Sequence, residues 1–177
     1  HIVVVVAPDM ENVAAAVAPH KIAIQVQQLG TGDAVKAAVA HLGDFRGDIL
    51  VLYGDVPLVK ADTLRALIQH HRQGQGFGAT VLAMVPPSPT GYGRIFQNAD
   101  GTLARIVEEK DATAEQKQIQ EIYSGICCVQ AADLARWLPQ LGCNNAQGEY
   151  YLTEIIAMAV NEQQVITSLQ TPNLMEI

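Results

Sequence analysis

Residues 48–58 read Asp-Ile-Leu-Val-Leu-Tyr-Gly-Asp-Val-Pro-Leu, an apolar run followed directly by a glycine and an aspartate. Apolar runs without polar alternation are typical of strands covered on both faces of a sheet. Ile2–Ala7 and Ile22–Val26 are runs of the same kind, and the alanine-rich segments Glu11–Ala18 and Asp33–Leu42 between them have helical periodicity. This alternation predicts an α/β fold with a doubly wound, mostly parallel sheet and right-handed crossovers.

The second half of the chain has a different order of elements. Its predicted segments are, in order, a helix at Ala61–Gln73, a strand at Ala79–Val85, a hairpin of Arg94–Asn98 with Leu103–Glu108, a strand at Glu121–Val129, helices at Ala131–Leu141 and Tyr151–Asn161, and a strand at Val165–Leu169. Because the sequence has no evident linker or internal repeat, we expect residues 1–177 to form part of a single domain.

Composition and charge exclude several functional classes. The 177 residues are 49% hydrophobic and carry a formal charge of −7 without a cluster of Lys and Arg, so no nucleic acid is expected as a partner. No apolar run approaches the roughly 20 residues of a membrane span, so no membrane contact is expected. The three cysteines lack zinc-ligand spacing. Cys127 and Cys128 are neighbours on a predicted strand and should face opposite sides, which favours packing in a reducing, cytoplasmic protein.

Two segments follow predicted strands at the carboxyl edge of the sheet, where open α/β sheets bind ligands. Residues 25–34 pass from a strand through Gly30 and Gly32 into a helix, and glycines there let the backbone approach a ligand. An ordinary turn between strand and helix is the alternative. Asp55 follows the strand at 48–53, and its carboxylate is suited to a Mg²⁺ ion that bridges nucleotide phosphates. The alternative is a simple turn before Pro57.

Three later segments are ambiguous when each is taken alone. Residues 86–94, Pro-Pro-Ser-Pro-Thr-Gly-Tyr-Gly-Arg, are either a surface loop or a loop that wraps a sugar. Glu108-Glu109-Lys110-Asp111 is typical of a solvated charged run. The polar and aromatic residues 144–153 precede an apolar helix, and helix capping explains part of that segment but not its paired tyrosines. The five histidines lack metal spacing and are assigned structural or surface roles.

Taken together, the segments resemble the uridylyltransferase domain of the bacterial bifunctional N-acetylglucosamine-1-phosphate uridylyltransferase / glucosamine-1-phosphate acetyltransferase family. The matching stretches occur in consistent order over nearly the whole chain. They are Gln-Leu-Gly-Thr-Gly at 28–32, Leu-Tyr-Gly-Asp-Val-Pro-Leu at 52–58, Thr-Gly-Tyr-Gly-Arg-Ile at 90–95, Ile-Val-Glu-x-Lys-Asp-Ala at 106–112, Ile-Gln-Glu-Ile at 119–122 and Asn-Asn-Ala-Gln-Gly-Glu-Tyr-Tyr-Leu-Thr at 144–153.

The resemblance implies a Rossmann-like nucleotide-diphospho-sugar transferase fold. It also implies a transferase that converts UTP and N-acetylglucosamine 1-phosphate into UDP-N-acetylglucosamine and pyrophosphate, for peptidoglycan and lipopolysaccharide precursors. The family pattern implies a role for each matching position. On the nucleotide side, Gln25, Gly30 and Thr31 bind the uracil, Tyr53 and Gly54 line the nucleotide sugar and phosphates, and Asp55 is the catalytic Mg²⁺ ligand. On the sugar side, Gly93 and Glu108 contact the N-acetylglucosamine moiety, and Tyr123, where the family often has Asn, contacts the sugar.

Two parts of the family pattern have no counterpart here. One is the opening strand with its Leu-x-x-Gly-x-Gly-x-Arg-Met loop and downstream Lys, and the other is the left-handed β-helix that bears the acetyltransferase. The resemblance therefore implies a partial domain without the N-terminal strand, with little or no turnover alone, from a bifunctional and homo-oligomeric parent. Two other interpretations stay open, namely another sugar-1-phosphate nucleotidyltransferase and a non-catalytic sugar-nucleotide-binding module.

Overall fold

Strands and helices alternate in the N-terminal half of the computed structural model, which describes residues 1–74 and 77–177. In order they are β1 (Val3–Val6), α1 (Glu11–Ala16), β2 (Lys21–Ile24), α2 (Thr31–Val39), β3 (Asp48–Val51) and α3 (Ala61–Gln73). Helix α3 has the predicted bounds. It carries Asp62 in its first turn and Arg72 in its last, charges that complement the helix dipole. The predicted order of elements in this half is confirmed.

The second half contains the remaining strands and two helices. They are β4 (Phe77–Met84), β5 (Gly93–Gln97), β6 (Leu103–Val107), β7 (Ile122–Gln130), α4 (Ala131–Trp137), α5 (Glu154–Asn161) and β8 (Val165–Gln170), with 3₁₀ turns at Gln116–Gln118, Leu138–Gln140 and Leu174–Glu176. The predicted hairpin is confirmed, because β5 and β6 pair antiparallel with Arg94 opposite Val107. The predicted helix from 131 to 141 is divided between α4 and the 3₁₀ turn that follows it.

The strands form a two-stranded sheet and a mixed six-stranded sheet. Strands β1 and β2 pair in parallel, while the larger sheet has the order β6-β5-β7-β4-β8 with β3 also beside β7. The α/β class is confirmed, but among the described strands parallel pairing holds only for β1 with β2 and for β4 with β8. The expectation of a mostly parallel sheet needs this correction, because β7 lies between β3 and β4 and runs against both.

One edge of β7 is shared by two strands, and this arrangement positions the candidate site. Its C-terminal part, from Cys127 to Gln130, pairs with β3, whereas Ile122 and Tyr123 pair with β5. Between these ladders lies Gly125, whose φ of +87° interrupts the regular strand. Beside it, Ser124 donates a hydrogen bond from Oγ to the Leu82 carbonyl at 2.8 Å. The shared edge therefore has a gap between β3 and β5, lined by the backbone around Gly125.

The larger sheet buries apolar side chains on both faces. Cys127 packs on one face with Trp137 of α4 and Ile155 of α5. Cys128 packs on the other face with Leu67 of α3. The prediction that these adjacent cysteines face opposite sides is confirmed, and burial raises the pKa of the Cys127 thiol to about 11. In the part of the chain that the structure describes, every helix is too short or too polar to traverse a bilayer.

Candidate nucleotide-sugar site

The turn between β2 and α2 holds Gln25, Gly30 and Thr31 close together. Gln25 follows the last residue of β2, and its backbone N–H donates to the Val6 carbonyl of β1 at 2.9 Å. Its side-chain amide donates from Nε2 to the Gly30 carbonyl at 3.1 Å and to Oδ2 of Asp33 at 2.8 Å. The half-buried carboxamide of Gln25 is therefore held against the turn at the carboxyl end of β2.

Residues 150–152 pack tightly against the same turn. Gly30 has a φ of +110°, and a Cβ built there would lie 2.8 Å from the Tyr150 carbonyl oxygen. The Tyr150 N–H donates to the Leu29 carbonyl at 2.8 Å, and the Leu152 N–H donates to Oγ1 of Thr31 at 2.9 Å. Because both the φ angle and the close approach exclude a side chain, glycine is required at position 30.

Tyr53 connects the end of β3 to this turn. Its ring packs on Gly125, since a Cβ built on that glycine would lie 2.6 Å from Cδ2 of Tyr53. Burial raises the pKa of the Tyr53 hydroxyl, and a hydrogen bond with the Thr31 side chain partly opposes this rise. Strand β3 was predicted to continue to Tyr53 but ends at Val51. The chain leaves the strand there, and the Tyr53 ring fills the gap between β3 and β5.

Gly54 and Asp55 form the exposed part of the site. Both residues are solvent-exposed, and the Val56 N–H donates to the Tyr53 carbonyl at 3.3 Å to close a turn around them. A Cβ built on Gly54 would meet no atom within 4 Å. The carboxylate of Asp55 is near enough to Tyr53 for its charge to add to the rise in the Tyr53 pKa that burial causes. Residues 1–74 and 77–177 contain no group of three or more His, Cys, Asp or Glu side chains arranged for a metal ion.

Gly93 and Glu108 face each other across the β5–β6 hairpin. A Cβ built on Gly93 would lie 3.4 Å from Oε2 of Glu108, so the absence of a side chain leaves room for that carboxylate. The other oxygen of Glu108 accepts a hydrogen bond from Oγ1 of Thr153 at 2.8 Å. Burial raises the pKa of Glu108, while the Thr153 hydrogen bond opposes the rise. This half-buried carboxylate keeps one oxygen available for a ligand hydroxyl.

Tyr123 lies behind these residues. It is 6% exposed, and burial raises the pKa of its hydroxyl well above the ordinary value, with smaller contributions from Cys127, Tyr53 and Glu108. With so little exposed surface, Tyr123 forms the floor of the site between Tyr53 and Glu108.

The predicted site residues thus fall into one connected group and one exposed turn. Thr31, Tyr53, Tyr123 and Glu108 are linked by the contacts above, while Asp55 lies on the exposed turn that follows Tyr53. Sequence reasoning missed the contributions of Asp33, Gly125 and Thr153. A glycine inside a strand signals a close approach or a bulge, so Gly125 carried a usable signal. The Asp33–Gln25 contact had no sequence signal, because it depends on the geometry of the turn.

Comparisons with known proteins show which families and sequences the chain is similar to. A family profile described as MobA-like NTP transferase domain matches residues 1–98. The Bifunctional protein GlmU of Legionella pneumophila subsp. pneumophila (strain Philadelphia 1) is 49% identical over 156 residues, which cover 86% of this chain and 33% of that protein. The Bifunctional protein GlmU of Paraburkholderia phytofirmans (strain PsJN) is 49% identical over 172 residues, or 96% of this chain and 37% of that protein. The chain spans about a third of the length of these curated relatives.

The fold is also similar to that of a solved protein. The nucleoside-diphosphate-sugar pyrophosphorylase from Vibrio cholerae RC9 matches with a TM-score of 0.68, over 96% of this chain and 72% of that chain, at 12% identity. At this identity the likeness establishes the fold alone, and it confirms the Rossmann-like nucleotide-diphospho-sugar transferase fold that the resemblance implies. The relatives confirm the resemblance itself. Since the family profile matches more than half of its residues, the chain belongs to the MobA-like NTP transferase domain family.

Proposed function

We propose that residues 1–177 form part of the nucleotidyltransferase domain of a uridylyltransferase that makes UDP-N-acetylglucosamine and pyrophosphate from UTP and N-acetylglucosamine 1-phosphate. The observation that carries the proposal is the position of Tyr53. It is hydrogen-bonded to Thr31 on the turn after β2 and packed on Gly125 beside the β5–β6 hairpin. One site can therefore receive a nucleotide on one side of Tyr53 and a sugar on the other. The GlmU relatives support this assignment.

On the nucleotide side we assign base recognition to Gln25, Gly30 and Thr31. The polar groups of Gln25 and the turn are those that read a base edge by hydrogen bonds. Glu149 and Tyr150 fill the space where a Gly30 side chain would lie, so they hold the backbone of the turn in place beside the proposed base site. We assign the ribose and phosphate contacts to Tyr53 and to the exposed Gly54. Among residues 1–74 and 77–177, no atom lies within 4 Å of a Cβ built on Gly54.

On the sugar side we assign the N-acetylglucosamine contacts to Gly93, Glu108 and Tyr123. A half-buried carboxylate accepts hydrogen bonds from sugar hydroxyls, and Thr153 holds the Glu108 carboxylate in place at 2.8 Å. The bare backbone of Gly93 leaves space beside this carboxylate. Tyr123 supplies the floor between this carboxylate and Tyr53.

Asp55 is the proposed ligand of a Mg²⁺ ion. Mg²⁺ is commonly held by one or two carboxylates together with substrate phosphates and water, so an exposed single carboxylate at a strand end has suitable donor chemistry. Bound there, the ion would neutralise charge on the nucleotide phosphates. The attacking group is the phosphate of the sugar, which is already an anion, so the chain needs no general base. Its own residues position the reactants for in-line attack on the α-phosphorus of UTP.

We further propose that the protein works in the cytoplasm and is homo-oligomeric in its full-length form. The three free cysteines suit a reducing compartment. The nucleotide-sugar product would serve the synthesis of peptidoglycan and lipopolysaccharide precursors.

Ligand titration tests the proposal directly. We expect calorimetry to show that the chain binds UDP-N-acetylglucosamine more tightly with Mg²⁺ than without it, and more tightly than UDP-glucose. Asp55→Asn should remove the effect of Mg²⁺. Asp62→Asn, an exposed carboxylate in the first turn of α3, is the matched control and should retain that effect. The proposal fails if the unaltered chain binds no uridine nucleotide, or if it binds UDP-glucose equally well.

A further inference from the structure

Asp33 and Gln25 form a side-chain pair that the assignments above leave unexplained. Asp33 lies in the first turn of α2, where its carboxylate is favoured by the helix dipole. Oδ2 of Asp33 accepts a hydrogen bond from Nε2 of Gln25 at 2.8 Å. The same nitrogen donates to the Gly30 carbonyl at 3.1 Å. Both acceptors belong to the turn and the helix start that surround the proposed base site.

The chemistry of these groups fixes which end of the Gln25 amide a ligand meets. A carboxamide has a nitrogen with two N–H donors and an oxygen that only accepts, and it can present either end by rotation. Here Nε2 lies within hydrogen-bonding distance of two acceptors within the chain, Oδ2 of Asp33 and the Gly30 carbonyl. A carboxylate can only accept, so Asp33 cannot stabilise the flipped amide. The oxygen Oε1 is the end of Gln25 that remains for a ligand.

We propose that Asp33 is a specificity-determining residue that selects uracil over cytosine by fixing the amide orientation of Gln25. Uracil carries an N–H donor at N3, whereas cytosine has an acceptor at that position. If the amide oxygen of Gln25 faces the base, it accepts a hydrogen bond from the N3–H group of uracil and is repelled by the N3 acceptor of cytosine. This inference rests on the proposed function, because it requires that Gln25 faces the base. Asp33 acts through Gln25 and does not itself contact the nucleotide.

Titrations of UDP and CDP against variants of Asp33 test the inference. For Asp33→Ala we expect the ratio of UDP to CDP affinity to fall by about 3- to 10-fold, because only the Gly30 carbonyl then still disfavours the flipped amide. Asp33→Asn can donate to the flipped amide as well as accept from the native one, so it should also lower the ratio. It preserves side-chain shape, which keeps the test valid if the alanine variant folds poorly. Asp62→Ala removes an equivalent charge from the first turn of α3 and should leave the ratio unchanged. An unchanged ratio in both Asp33 variants overturns the inference.

A double mutant separates this role from a structural one. In a Gln25→Leu background, Asp33→Ala should no longer alter the UDP to CDP ratio, because the amide that Asp33 orients is gone. A shift of similar size in that background would show that Asp33 acts by another route and would overturn the inference. If the unaltered chain does not prefer UDP to CDP, or binds neither, the proposed function fails, and the inference fails with it. A normal preference that survives the Asp33 variants rejects the inference alone.

Discussion

Replacing Gly125 by alanine should destabilise the chain and weaken the candidate site together. Gly125 has a φ of +87°, where a side chain strains the backbone by about 1–2 kcal/mol. The added Cβ would also lie 2.6 Å from Cδ2, 2.8 Å from Cε2 and 3.0 Å from Cγ of Tyr53. The Tyr53 ring is poorly placed to move, because its hydroxyl is hydrogen-bonded to Thr31. Overpacking of this kind costs about 1–3 kcal/mol, so the sum is about 2–5 kcal/mol.

Gly101 provides a matched control for the backbone contribution. It has a φ of +83°, close to that of Gly125, but a Cβ built there would meet nothing within 4 Å. Gly101→Ala should therefore cost only the conformational strain, about 1–2 kcal/mol. Urea unfolding monitored by circular dichroism gives both free energies, and the difference between the two variants measures the contact with the Tyr53 ring. Gly101→Ala should leave the affinity for UDP-N-acetylglucosamine unchanged.

The reasoning about Gly125 has a definite point of failure. If Gly125→Ala and Gly101→Ala lower the free energy of unfolding by the same amount, then the Tyr53 ring does not pack on Gly125 as described. Adding Tyr53→Leu to Gly125→Ala should recover part of the lost stability, because the shorter side chain makes room for the new methyl group. Unaltered affinity of Gly125→Ala for UDP-N-acetylglucosamine would show that displacing Tyr53 does not disturb the site.

Three further predictions follow from buried charged or titratable groups. Since burial raises the pKa of Glu108, the free energy of unfolding should fall as the pH rises above about 4.5. Glu108→Gln should be more stable than the unaltered chain at pH 7 and should lose that advantage near pH 4. The same variant should bind UDP-N-acetylglucosamine more weakly. Arg94 is 2% exposed and pairs with Glu109 at 2.9 Å. Arg94→Met should therefore lower the free energy of unfolding in urea by about 3 kcal/mol. A decrease below about 1 kcal/mol would contradict a buried ion pair. Burial lowers the pKa of His71, and the nearby charge of Asp48 opposes this only in part, so the free energy of unfolding should fall as the pH drops through about 6.5. His71→Gln should flatten this pH dependence, measured as the thermal unfolding temperature from pH 5 to pH 8.

The order of elements was predictable from the sequence because it depends on local periodicity. The bounds of α3 were predicted in this way, and so was the presence of the β5–β6 hairpin, although its strand bounds differ by one residue. The pairing of strands in the sheet was not predictable, because the position of β7 between β3 and β4 brings together segments that are far apart in the chain. Nothing in the local pattern of β7 distinguishes an antiparallel neighbour from a parallel one when both faces of the strand are buried.

The candidate site was predictable where a single residue type limits the backbone. Glycine at position 30 was indicated by the turn motif, and the structure shows the close approach that requires it. The charged run after β6 was harder to interpret, because adjacent carboxylates have different surroundings. Glu108 turns inward to Thr153, while Glu109 pairs with the buried Arg94. Strand β6 ends at Val107, and the chain turns at Glu109, where the Asp111 N–H donates to the Glu108 carbonyl at 3.0 Å. The two carboxylates are separated by this turn, which the sequence pattern did not predict.

The contacts around Thr31 join the two halves of the proposed site. The Thr31 side chain hydrogen-bonds with Tyr53, and its Oγ1 accepts the Leu152 N–H, while the next residue, Thr153, holds the Glu108 carboxylate. A shift of the turn to which we assign base binding should therefore reach the proposed sugar side by two routes, one through the Tyr53 ring and one through residues 152–153. Because packed groups of this kind move together rather than singly, occupancy of the nucleotide side should order the sugar side. Because such coupling is reciprocal, each ligand should raise the affinity of the site for the other.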